Sequence, residues 1–229
     1  MPIIMAIKQN SRVTIEAMKY KELDLNSWER KEIFDFFSTA ENPYYMVTFR
    51  QDVTEIYNWA KENKKSFYCA MIWAVTEAVN SVEAFRVSVV NGKPVLLEER
   101  HPSFADLKEG KETFHIVTMD RDKDIGRFCD QTKKKSQTQN FFIDPSLEGQ
   151  DLIYISSLPW IDLTALTNEV DSYGEALRNK AIPHISWGRY VEENGRKVLG
   201  LSLEVNHRFI DGYHIGKFAE NLTRIIQNL

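Results

Sequence analysis

Apolar positions recur along this chain with two different periods, and the switches between them mark its elements. Leu199, Leu201, Leu203 and Val205 alternate with Gly200, Ser202 and Glu204, the period-two pattern of a strand with one apolar face. Further on, Ile215, Phe218, Leu222, Ile225 and Leu229 recur at three-to-four spacing. This predicts a last helix that starts at Asp211 and packs its stripe on a sheet. Residues 67–82 are apolar nearly all round and predict a central helix. Shorter patterns predict helices over 28–38, 53–63 and 123–136, and strands over 44–52, 113–119 and 152–156. Ser27 is placed to cap the first of these helices, with Phe34 and Phe37 on the same face as Arg30. Two hairpins are predicted, 87–90 with 94–97 and 182–191 with 197–205. They turn at Asn91-Gly92 and Asn194-Gly195, dipeptides that accept positive φ. Helices and strands mix without strict βαβ alternation. The expected fold class is therefore α+β, a two-layer sandwich of helices on a mixed, largely antiparallel sheet.

Composition narrows the picture. The 229 residues suit one domain spanning 1–229, with 1–12 as a loose N-terminal extension. Hydrophobic residues make up 43%, enough for a substantial core. The formal charge of -4, mixed in sign along the chain, excludes a global basic field for nucleic acid or an anionic membrane. No apolar run approaches the ~18 residues that span a bilayer. Residues 1–6 are too short for a signal segment, so the expected location is the cytoplasm. Cys69 and Cys129 have no CxxC or histidine neighbours, and are expected as buried free thiols with no metal.

The chemistry concentrates after the alternating strand. His207 continues the register of Leu199, Leu201, Leu203 and Val205, so a strand persisting one residue further points its ring inward. A held imidazole titrating near neutrality suits general-base work. Asp211 stands four residues on, before Gly212. It can cap the last helix, or it can pair as an anion with an arginine. On periodicity alone a core histidine followed by a capping aspartate is the commoner arrangement.

The segment His207-Arg208-Phe209-Ile210-Asp211-Gly212 resembles the HxxxDG motif of chloramphenicol acetyltransferases and dihydrolipoyl acyltransferase cores. Trp28-Glu29-Arg30-Lys31-Glu32 and Ser156-Ser157-Leu158-Pro159-Trp160 resemble the WxRKE and SxLPW segments of the former. Ala84-Phe85-Arg86, the Asn91-Gly92 turn, His101-Pro102 and Glu112-Thr113-Phe114 follow in the same family's order. The resemblance implies a CoA-dependent acyltransferase fold, acetyl-CoA as co-substrate, and direct acetyl transfer in a ternary complex to a hydroxyl of chloramphenicol or a similar small alcohol. It implies His207 as base, Ser156 as oxyanion donor, Ser186 in place of a water-holding threonine, and Asp211 with Arg30 as an ordering ion pair. It implies an acceptor pocket at Phe37, Tyr45, Phe114, Leu166 and Asn168, and a coenzyme side at Tyr68, Trp160, Arg189 and Tyr190. It further implies a homotrimer with sites between subunits. Asn206 replaces the histidine that usually precedes the base and faces away from His207; the larger departures fall in the acceptor pocket. Leu166 and Asn168 replace bulky apolar residues, Ala105 replaces a threonine, and Asn168 brings an amide that burial would leave without a partner. Two alternatives stand beside this reading: an acyltransferase core for a lipoyl-like thiol, and a catalytically weak binder of a hydrophobic ligand.

Overall fold

The computed structural model describes residues 18–108, 110–169 and 180–229; the extension expected over 1–12 lies outside them. Its elements run β1 (Tyr20–Glu22), α1 (Lys31–Phe37), β2 (Tyr44–Asp52), α2 (Thr54–Glu62), α3 (Phe67–Asn80), α4 (Glu83–Arg86), β3 (Val87–Val90), β4 (Lys93–Leu97), β5 (His101–Leu107) and β6 (Phe114–Thr118). There follow α5 (Ile125–Thr138), a 3₁₀ turn (Pro145–Leu147), β7 (Leu152–Leu158), β8 (His184–Gly188), β9 (Val191–Glu193), β10 (Arg196–Asn206) and α6 (Gly212–Gln227). The main sheet has strand order β2-β10-β8-β7-β5-β6, with β9 also on β10. The pairs β5·β7 and β7·β8 are parallel and the others antiparallel, and a small sheet β1-β4-β3 stands beside it. The fold is the expected α+β arrangement.

The alternation on β10 does what period two requires. Leu199, Leu201, Leu203 and Val205 are all fully buried and share one core with α3 and α6. Each such side chain taken out of water contributes roughly 1.5–3 kcal/mol. α3 is central because Ala70, Met71, Ile72, Ala74, Val75 and Ala78 leave it no solvent face. On α6, Ile215, Phe218, Leu222 and Ile226 are buried, and Phe218 stacks on Phe85 at 5.4 Å. Cys69 and Cys129 are buried free thiols.

The opposite face of β10 receives a piece of chain. A Cβ on Gly200 would lie 1.9 Å from the Leu163 carbonyl oxygen, and one on Gly188 2.5 Å from Leu163 Cβ. Only glycine lets the segment that follows β7 lie this close to the strands. The Ser202 hydroxyl then donates to the Leu166 carbonyl at 2.9 Å. Arg100 ties the other end of the sheet. Its fully buried guanidinium donates to the carbonyls of Phe85, Val87, Gln150, Leu152 and Ala181 at 2.5–3.0 Å, and burial lowers its pKa to about 10.

Some boundaries differ from expectation. The helix expected over 28–38 begins at Lys31, and Ser27 does not cap it. The Ser27 hydroxyl instead donates to the Asp24 carboxylate at 3.0 Å, closing a turn that delays the helix. Strand β7 runs on to Leu158. The second hairpin is split, with β9 meeting β10 next to the turn and β8 pairing deeper. Both turn dipeptides have the expected positive φ, 51° and 77° at Asn91-Gly92 and 51° and 76° at Asn194-Gly195. Strand β5, unforeseen, lies inside the sheet between β6 and β7.

Candidate active site

β10 ends at Asn206, and the chain turns tightly into α6. The buried Asn206 side chain holds the turn, its amide donating to the Lys180 carbonyl at 2.8 Å and its oxygen accepting the Arg208 amide at 3.1 Å. The His207 amide donates to the Pro43 carbonyl at 2.8 Å, just before β2. Arg30, at the start of α1, reaches across and clamps the turn. Its Nη1 meets Asp211 Oδ2 at 2.6 Å, its Nε donates to the Arg208 carbonyl at 2.8 Å, and its Nη2 to the His207 carbonyl at 3.0 Å. Asp211 also caps α6, accepting the Tyr213 amide at 3.1 Å. Capping and ion pairing therefore coexist, because one carboxylate offers an oxygen to each. Burial would raise the Asp211 carboxyl. Hydrogen bonding from Arg30 and the field of His214 and Arg30 outweigh it, and hold the group below its ordinary 3.8.

The His207 ring is half-buried between two aromatics. Its centroid lies 4.0 Å from Phe37, with the planes 24° apart, and 4.3 Å from Tyr45. Strand pairing puts Val205 opposite Tyr45, which carries that ring to the site. The Tyr45 hydroxyl donates to the Ile210 carbonyl at 3.3 Å, and burial pushes its phenol up to about 12. Burial, then the Arg30 charge, hold the His207 imidazole below its ordinary 6.5, against the opposing pull of Asp211. At pH 7 the ring is thus neutral and keeps an acceptor nitrogen.

Ser156 lies elsewhere. On β7 it stands opposite Ser186 of β8, which stands opposite Ser202 of β10, which stands opposite Thr48 of β2. This row of hydroxyls runs across the face away from α3 and α6. Ser156 is two strands over from β10 and level with a residue five positions before His207, about 20 Å away in one chain at ordinary strand spacing and rise. Phe114 begins the far edge strand β6 and packs its exposed ring on Phe142 at 5.6 Å. So Phe37 and Tyr45 gather at His207, while Ser156, Ser186 and Phe114 do not. Leu166 and Asn168 sit over β10. The Asn168 amide is not left unpartnered, because its side-chain and backbone N–H groups both donate to Glu204 Oε2, at 2.9 and 2.8 Å.

On the expected coenzyme side, the Tyr190 ring meets Tyr57 at 5.3 Å and Phe67 at 5.8 Å, and lies under Lys197 Nζ. Arg189, on the exposed loop leaving β8, donates its amide to the Ile161 carbonyl at 2.7 Å, which brings the Trp160 turn alongside. Trp160 is 67% exposed. The Tyr68 hydroxyl is committed to the Ala105 carbonyl at 2.5 Å, and burial raises its phenol. Among the described residues no group of three or more His, Cys, Asp or Glu could hold a metal, and no helix is long and apolar enough to cross a membrane. Two contributors carry no apolar signature in the sequence: Pro43, which anchors the His207 amide, and His214, whose only mark is its position three residues after a capping aspartate.

A family profile described as chloramphenicol acetyltransferase matches residues 18–223. The chloramphenicol acetyltransferase of Bacillus pumilus is 29% identical over 91% of this chain and 94% of its own, and that of Vibrio anguillarum 29% over 93% and 96%. Among solved structures, a chloramphenicol acetyltransferase superposes with a TM-score of 0.82 at 22% identity, covering 91% of this chain and all of that one. A dihydrolipoamide acetyltransferase of Azotobacter vinelandii superposes with 0.63 at 16% identity, over 85% of each chain. The profile covers nearly every described residue, including both halves of the Arg30–Asp211 clamp, so the chain belongs to the chloramphenicol acetyltransferase family and is with it an acetyltransferase enzyme.

Proposed function

We propose that this protein transfers the acetyl group of acetyl-CoA to a hydroxyl of chloramphenicol or a similar small alcohol, with His207 as general base. The observation that carries the reading is the His207 ring, held between Phe37 and Tyr45 on a turn that Arg30 grips by two carbonyls and by Asp211. The imidazole takes the proton of the alcohol as its oxygen attacks the thioester carbonyl. The tetrahedral oxyanion accepts a hydrogen bond from Ser156, with Ser186 holding a water nearby. Collapse breaks the C–S bond, and the departing thiolate takes the proton back from the imidazolium. Holding both reactants together supplies the orientation term, and a positioned base contributes ~10²–10⁴-fold.

In this reading the protein works as a homotrimer, each site joining His207, Phe37 and Tyr45 of one copy to Ser156, Ser186 and Phe114 of its neighbour. The separation of about 20 Å between His207 and Ser156 along the strand ladder supports a shared site, since one chain cannot bring both to one reacting carbon. Leu166 and Asn168 shape the acceptor side, and Tyr68, Trp160, Arg189 and Tyr190 the coenzyme side, where Tyr68 offers its ring and not its bonded hydroxyl.

The test is thiol release from acetyl-CoA with chloramphenicol, with a panel of other alcohols, and with dihydrolipoamide. Release with an alcohol is expected, and His207→Ala should lose nearly all of it while staying folded and trimeric by light scattering. Near-normal turnover in that variant, or release with the dithiol alone, overturns the reading.

A further inference from the structure

His214 stands one contact behind the clamp. In the N-terminal turn of α6 the Asp211 carboxylate accepts backbone N–H groups, and the His214 side chain accepts the Asp211 amide in return through Nδ1, at 3.2 Å. Glutamate or glutamine ordinarily fills this reciprocal position. Here an imidazole does, and its Nδ1 also lies 2.9 Å from Asp211 Oδ1. One nitrogen therefore faces a donor and an acceptor of the same residue. Unprotonated, it satisfies the Asp211 N–H. Protonated, it gives that bond up and donates to Oδ1 instead.

We propose that His214 is a positioning residue for the transfer reaction: its neutral imidazole leaves Asp211 to cap α6 through Oδ1 and hold Arg30 through Oδ2, and its imidazolium takes Oδ1 from the Tyr213 amide, sets a second cation beside Arg30 and loosens the turn that carries His207. The inference rests on the acetyl-transfer reading for its kinetic consequence, but not for its structural one. The guanidinium that meets Asp211 Oδ2 is the same one that holds the His207 and Arg208 carbonyls, so a shift of the carboxylate is passed to both. The charged groups facing His214 are Asp211 and Lys217 on its own helix and Arg30 from α1, with the Tyr213 ring at 5.7 Å. Burial lowers the His214 pKa, Arg30 and Lys217 add to the lowering, and Asp211 opposes it. The sign follows. At pH 7 and above His214 is neutral and the clamp intact, and acidification below 6.5 protonates His214 and releases it.

Two variants separate positioning from mere helix capping. His214→Gln keeps a neutral acceptor that cannot titrate, and His214→Ala removes the acceptor. At pH 8, His214→Ala should lower kcat about tenfold with KM values within about twofold, and His214→Gln should recover kcat to within about threefold of the parent. As pH falls, log kcat of the parent should approach a slope of about two, one proton each on His207 and His214, and that of His214→Gln about one. Unchanged kcat in His214→Ala, or the same acid slope in parent and His214→Gln, overturns the proposal. A readout independent of turnover is the Arg30 Nε–H resonance. It should weaken as the parent is titrated downward from pH 6.5 and persist in His214→Gln. If the parent releases no thiol, the functional reading fails while this resonance still decides the role of His214; the same titration in both proteins refutes it.

Discussion

Replacing Asp211 by Asn isolates the charge in the clamp. The two side chains have nearly the same shape, and Asn caps helices about as well as Asp, so the start of α6 is preserved. The amide oxygen still accepts from Arg30. What is lost is the counter-charge of a guanidinium whose side chain is only 11% exposed. Breaking a fully buried pair costs ~3–5 kcal/mol. Asp211 is 32% exposed and one hydrogen bond survives, so solvent screening reduces the loss to about 2 kcal/mol. In a chain of this size that corresponds to a fall in Tm of about 4–8 °C. The depressed Asp211 pKa adds a pH signature. Its stabilisation is present above 3.8 and is lost as pH falls below it, so the Tm gap between parent and variant should narrow there. Thiol-release kinetics on the same samples should show kcat reduced by at least about tenfold, because the His207 carbonyl loses a fixed partner. Arg30→Met supplies the control: the double variant should be little less stable than Arg30→Met alone, since the charge acts through Arg30. A Tm and kcat both unchanged in Asp211→Asn would refute the reasoning, as would full additivity in the double variant.

Two further outcomes test the shared site and the frame. Ser156→Ala should keep its Tm and lose about 10²-fold in kcat. Mixed with His207→Ala at equal amounts and allowed to assemble, it should restore activity at about a quarter of the sites, those pairing an intact His207 with an intact Ser156 from a neighbour. No recovery above either variant alone would place both groups within one copy. Arg100→Lys replaces a guanidinium that serves five carbonyls with three N–H groups; Gln150 keeps the Ser88 hydroxyl, so at least one of the other acceptors is stranded at ~1–3 kcal/mol. Calorimetry should show a fall of at least about 2 °C, and an unchanged Tm would mean that the lysine finds water.

Elements whose periodicity is local were legible in the sequence. α3, α6 and β10 are recognisable because one buried face imposes a repeat on consecutive residues. β5 was not. His101–Leu107 carries a proline and an aspartate, sits between two neighbouring strands, and shows no alternation to read. The candidate site follows the same divide. The inward register of His207 lies in four preceding residues. Its clamp depends on Arg30, 181 positions from Asp211, and no local pattern reports a contact that distant; only the resemblance named it.

The polar parity of β10 carries information that the apolar parity does not. Ser202, Glu204 and Asn206 read as an outward solvated stripe, yet each receives a returning segment: Ser202 the Leu166 carbonyl, Glu204 the Asn168 amide, Asn206 the Lys180 carbonyl. Gly200, in the same parity, admits Leu163 where any side chain would exclude it. Leu163, Leu166, Asn168 and Lys180 are therefore laid along the polar face of the strand that ends just before His207. The apolar face decides that β10 is buried under α3 and α6. The polar face decides where Leu166 and Asn168 stand. If those two residues line the acceptor side as proposed, two family members with the same apolar stripe and different polar residues on β10 should share a fold while differing in the alcohol they accept.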